Sequence, residues 1–182
     1  MRFSAPALLF AALSCRGGAL ATIDVETGGE ATVPAGTLLE DLLVDVGFES
    51  LVSMDLTTEE ELANQGVEPG DITGARLVEL ELSAVAPAGA DLSFLDALTV
   101  IVEAPGLPAR AVATGDDFPA GVAAVSLDLE AVDLGPYVVS QEMTLRTEIS
   151  GHRPPEETTV AARVVVAVDV TAQGVRRAAC GG

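Results

Sequence analysis

The chain has no lysine and no tryptophan, one tyrosine and one histidine, and each absence closes off some chemistry. Without lysine there can be no phosphate-binding loop of the GxxxxGK[ST] type. With aromatics at 3% of residues, the ring platforms on which sugar faces stack are scarce. A single histidine leaves no set of imidazoles for zinc or non-haem iron. Positive charge is also short. Nine arginines stand against 28 acids, for a net charge of −19. Nucleic-acid affinity comes largely from cationic contacts that release counterions, so a chain of this sign is excluded from that role. Anionic lipid headgroups repel it for the same reason. Two cysteines at opposite ends, Cys15 and Cys180, make no disulfide framework.

The residues that are abundant are aliphatic. Hydrophobic residues make up 49% of the chain, enough for a packed core, and that core must be built from Val, Leu, Ile and Ala. Val and Ile are stiff at χ1 and fit a pleated surface, so the composition leans towards β structure.

The N-terminus has the form of an export signal over residues 1–21. Arg2 is a minimal positive region, and Ala5 to Leu13 is an apolar run of signal length, too short to span a bilayer. Two processing sites compete. Ala19-Leu20-Ala21 is a small-x-small cleavage site that would release a chain starting at Thr22. Ala12-Leu13-Ser14-Cys15 resembles the lipobox of bacterial lipoproteins, whose cysteine is acylated and becomes N-terminal. On these residues the leader resembles those of bacterial secreted proteins and lipoproteins. The resemblance implies a periplasmic, outer-membrane-anchored or extracellular protein that meets the membrane only through Cys15. It does not extend beyond residue 21.

The body, residues 22–173, reads as short strands separated by Gly and Pro. Thr22–Glu26 and Glu30–Val33 flank Gly28-Gly29, which suits a tight hairpin turn. Thr37-Leu38-Leu39-Glu40 has capping-box spacing ahead of a helical stripe that ends at Gly47, and Thr58–Leu62 suggests a second short helix. After Pro69-Gly70 the period becomes two. Val78, Leu80 and Leu82 alternate with Glu79, Glu81 and Ser83; Leu98–Val102 is an apolar strand; Ala111–Ala113 is a weaker one; Val125, Leu127 and Leu129 share one parity. Gly135-Pro136 reads as a break. Met143–Ile149 and Val160–Val170 then read as a hairpin joined by Gly151-His152-Arg153-Pro154-Pro155. The expected fold is an all-β, antiparallel sandwich of about seven to nine strands, with one or two short helices in the first third. Residues 174–182 read as a loose tail.

No residue pattern here specifies catalysis or a cofactor. His152 has Ser150, Glu156 and Glu157 near it in sequence, but adjacency in a loop is not triad geometry. Asp116-Asp117, Asp91 with Asp96, and Asp71 lie in or beside turns, where calcium would need oxygen ligands, although none matches an EF-hand loop. The Glu59-Glu60-Glu61 run reads as a helix start, and Arg176-Arg177 as a solvated terminal pair. The expected function is therefore that of a non-enzymatic envelope or secreted module, structural or contacting a protein partner. A calcium- or apolar-ligand-binding module is the alternative, and a hydrolase has the least support. Mass spectrometry of the processed N-terminus checks the leader: acylated Cys15 or free Thr22 fits export, and a retained Met1 excludes it.

Overall fold

The computed structural model describes residues 21–36, 67–140 and 143–171. In chain order the elements are β1 (Ala21–Val33), a 3-10 turn (Pro69–Asp71), β2 (Ile72–Ala86), β3 (Leu95–Glu103), β4 (Arg110–Gly115), β5 (Ala124–Ser126), β6 (Asp128–Leu129), the short helix α1 (Gly135–Val139), β7 (Thr144–Gly151) and β8 (Thr158–Val170). They form an antiparallel β-sandwich of two four-stranded sheets, ordered β1-β8-β2-β5 and β6-β4-β3-β7.

The organising strand is β8. Val160, Ala162, Val164, Val166, Val168 and Val170 are each at most 5% exposed and form the inner stripe of the first sheet. A one-residue slip would send this stripe to water, so its parity sets the register. β1 pairs along its entire length, from Ala21 opposite Val170 to Val33 opposite Thr158. β2 takes the other side, from Ile72 opposite Val170 to Ala86 opposite Thr159. Leu98, Val100 and Val102 of β3 meet this layer from the second sheet, with Phe94, Phe118 and Leu127 completing the same core cluster.

Several expectations need correction. β7 and β8 are not a hairpin: β7 pairs with β3, and the connection after Gly151 crosses to the other sheet. A tight hairpin would have placed both apolar stripes in one layer. Crossing lets Thr147 and Ile149 pack inside the second sheet while β8 fills the middle of the first. The Gly28-Gly29 turn is also absent, because β1 runs straight through it. A Cβ at Gly28 would stand 2.3 Å from the Ala162 carbonyl oxygen, so glycine here permits close approach of two backbones. Val78 does not share the inward face of Leu80 and Leu82. It is the extra residue of a bulge between Leu77 and Glu79, and it is 41% exposed. Leu129 likewise turns outward, because the chain changes sheets at Leu127: β5 pairs with β2, whereas β6 pairs with β4.

Gly135-Pro136 begins a helix instead of breaking the chain. Proline is tolerated in a first helical turn, where its missing N–H would have had no partner. α1 packs on β2 through Gly135, whose absent Cβ would lie 3.0 Å from the Gly74 Cα, and the buried Tyr137 donates its hydroxyl to the Pro108 carbonyl at 2.6 Å. The helices expected over Leu38–Val46 and Thr58–Leu62, and the tail from residue 174, lie outside the described residues.

Gly28→Ala is expected to lower the unfolding free energy by about 1–3 kcal/mol, since backbone must move to admit the methyl. Gly70→Ala, with nothing within 4 Å, should change it by less than about 0.5 kcal/mol. Urea titrations of the two variants check the contrast.

Candidate interaction surface

The outer face of the first sheet is a lattice of ion pairs. On β8, Arg163 stands level with Gly28 and Glu81, and Val165 stands level with Glu26 and Glu79. Arg163 nonetheless reaches both glutamates. Its Nε and Nη2 donate to the two Glu26 carboxylate oxygens at 2.6 and 3.1 Å, and its Nη1 donates to Glu79. The guanidinium therefore lies along the strand above Val165, which is only 9% exposed although it points outward. Hydrogen bonds from Arg163, and then its charge, hold the Glu26 carboxyl below the usual carboxylate range, while the hydrogen bonds to Glu26 and Glu79 raise the Arg163 pKa. Further down the sheet Asp169 accepts from Thr22 at 2.6 Å and from Arg76 at 3.3 Å. These groups are exposed and satisfy one another, which suits a solvated face.

The carboxylates considered as calcium ligands are not brought together. Among the described residues no three His, Cys, Asp or Glu side chains form a group that could hold a metal ion. Asp71 is buried and ties the approach to β2 to the exit from β8: it accepts from the Thr171 hydroxyl at 3.1 Å and from the Glu68 N–H at 3.2 Å. Asp96 stands 3.7 Å from His152 Nδ1, both well exposed. Asp116 and Asp117 project from the loop after β4. The neighbour the fold gives His152 is thus Asp96, across the top of the β3–β7 pair. Cys15, Cys180, Glu59–Glu61 and Arg176-Arg177 lie outside the described residues.

Two open grooves are found among the described residues. One, of about 620 Å³, lies between the lower half of β2 and residues 129–133, and its Arg76 and Asp169 already pair with each other. The other, of about 570 Å³, sits beside the β3–β4 turn.

A different feature stands out at the upper corner, where β2 meets β5. Ala84–Ala90 and Phe118–Val125 contain no charged or hydroxyl side chain, although 20% of the whole chain is charged. The fold sets these two runs side by side. Ser83 and Leu82 pair with Ala124 and Val125, and the Ala84 N–H donates to the Ala123 carbonyl at 2.7 Å. Val85 and Val122 are the next residues on the two runs. Val85 is also passed over in the β2–β8 pairing, as the extra residue of another bulge, and this turns it outward. Val85 is 50% and Val122 39% exposed, and Pro87, Ala88, Pro119 and Ala120 are exposed around them.

Asp91 joins the two loops. One carboxylate oxygen accepts from the Gly121 N–H at 2.6 Å; the other accepts from the Ser93 hydroxyl and N–H at 2.7 and 3.0 Å. Those bonds, led by the one from Gly121, hold its pKa below the usual range. The corner is thus an apolar surface with a fixed shape. Sequence reading passes over it because Pro87, Gly89, Pro119 and Gly121 register only as turns. The available signal was two turn-rich runs without a polar side chain.

Comparison with models of known protein families finds no match, and comparison with curated proteins finds none either.

The two perturbed carboxylates are open to direct tests. Because the Asp91 pKa is depressed in the folded state, its stabilising effect is complete above the unfolded value and is lost as pH falls below ~4 towards the folded value. Asp91→Ala should therefore lower the unfolding midpoint at neutral pH, flatten the acid limb of the stability curve and speed hydrogen exchange at the Gly121 amide. Arg163→Gln should return the Glu26 titration, monitored by NMR, upward to the ordinary carboxylate range.

Proposed function

We propose that this chain is an exported, non-enzymatic β-sandwich module of the cell envelope or its surroundings, acting by protein contact through the apolar corner of β2 and β5. The observation that carries the reading is the corner itself: aliphatic, exposed and free of charge in a protein of net charge −19. Strong net charge keeps a protein soluble and apart from its own copies. An exposed apolar surface works against that, and such surfaces mark interaction sites.

The placement of the corner also suits an envelope protein. β1 begins at the Val170 end of β8, whereas the corner lies at the Thr158 end. An N-terminal tether, through an acylated Cys15 or any partner held there, leaves the corner pointing away from the attachment. The alternative readings have less behind them. The carboxylates considered for calcium are engaged or scattered. The side-chain neighbour seen for His152 is a carboxylate, Asp96.

A photo-cross-linking residue at position 122, in the producing cell, is expected to give a discrete protein adduct that Val85→Asp abolishes. The same residue at Thr99, on the outer face of the second sheet, should give none. Equal labelling at both positions, or none at 122, would overturn the reading.

A further inference from the structure

We infer that the partner of this corner is a protein surface with an aliphatic centre and a rim of Lys or Arg, an inference that rests on the corner being a contact site. The corner has three conceivable occupants: a lipid surface, a second copy of the chain and a different protein. The charges around it separate them.

The apolar runs are bordered by acids. Asp116 and Asp117 immediately precede Phe118 in the loop after β4. Asp91 lies just beyond Ala90, and Glu81 lies two residues below Ser83 on β2. Farther along the same end, Glu156 and Glu157 come after Arg153 in the β7–β8 connection. The nearest arginine on the first sheet, Arg163, is already engaged by Glu26 and Glu79. An anionic bilayer would meet this rim with like charge, and the corner has neither basic residues nor Trp or Tyr to favour an interface. A second copy would set Asp116, Asp117 and Glu81 against the acids of its own kind, which costs association free energy. A cationic rim removes both objections. It pairs with the acids at the edge, where charge sets encounter rate and partner choice, while Val85 and Val122 supply the dry centre.

The test uses two synthetic amphipathic helices as probes, alike in length and leucine content, one with lysine on its polar face and one with glutamate. Each is titrated into the full-length, isotope-labelled protein. The leucine–lysine helix should shift the amide signals of Val85, Ala88, Gly121 and Val122, and bind more weakly as salt is raised. The paired substitutions Val85→Ser and Val122→Ser should weaken it roughly tenfold or more. Asp116→Asn with Asp117→Asn should weaken it about two- to fivefold. The leucine–glutamate helix should leave the corner signals in place.

If both helices bind the corner equally, the contact site stands and the charge inference fails. If neither moves the corner signals, or the lysine helix moves only the outer sheet faces, both fail. Corner signals that broaden with protein concentration alone would point to a second copy, and broadening on anionic vesicles would point to lipid; either result overturns the inference.

Discussion

The fold depends on a strand that is apolar on both of its faces. β8 presents six Val and Ala side chains to the core and, on the opposite side, Val165 and Ala167, which are 9% and 1% exposed. Such a strand is stable only between two neighbours with its outer side covered. β1 and β2 provide the neighbours. Arg163 provides part of the cover, its guanidinium held by Glu26 and Glu79, the two residues that flank Val165 across the sheet. The ion pairs contribute little as isolated charges at the surface. Their effect is to keep a long side chain in the one position that shields an aliphatic residue.

The same strand accounts for the unevenness of β2. β8 is regular, and β1 matches it residue for residue. β2 matches it only by inserting extra residues, with register shifts at Ile72/Gly74, Leu77/Glu79 and Ala84/Ala86. Each bulge exchanges the inward and outward parity of the residues beyond it. The bulge at Val78 lets Ala75 and Leu77 point inward below it and Leu80 and Leu82 above it. The bulge at Val85 releases that side chain to solvent beside Val122. The apolar corner therefore arises from the way a strand longer than its partner's spacing is fitted to it, together with one carboxylate, Asp91, that joins the neighbouring loops.

Much of the β architecture was legible because it rests on period two. The stripes Val160–Val170 and Leu98–Val102 announce strands with a defined inner face, and the dearth of aromatics announces an aliphatic core. Legibility stops where a distant partner decides. Gly28-Gly29 has turn composition, yet Ala162 and Arg163 across the ladder keep it extended. Gly135-Pro136 has breaker composition, yet the absent side chain of Gly135 lets a helix start dock against the β2 backbone at Gly74. Met143–Ile149 and Val160–Val170 are neighbours in sequence, yet they serve different sheets because an inner stripe must face another layer and not its own. His152 could be seen as solitary, but its proximity to Asp96 comes from the β3–β7 register alone.

By itself, then, the sequence determined the β class, the aliphatic core, the strong negative charge and the parity of the central strand, because composition and alternation act locally and do not depend on which segment pairs with which. Only the tertiary structure decided strand order, the change of sheet at Leu127, the bulges that turn Val78 and Val85 outward, and the meeting of two uncharged loops at one corner. Those features depend on backbone contacts between segments far apart in the chain, and such contacts leave no periodic trace in either segment.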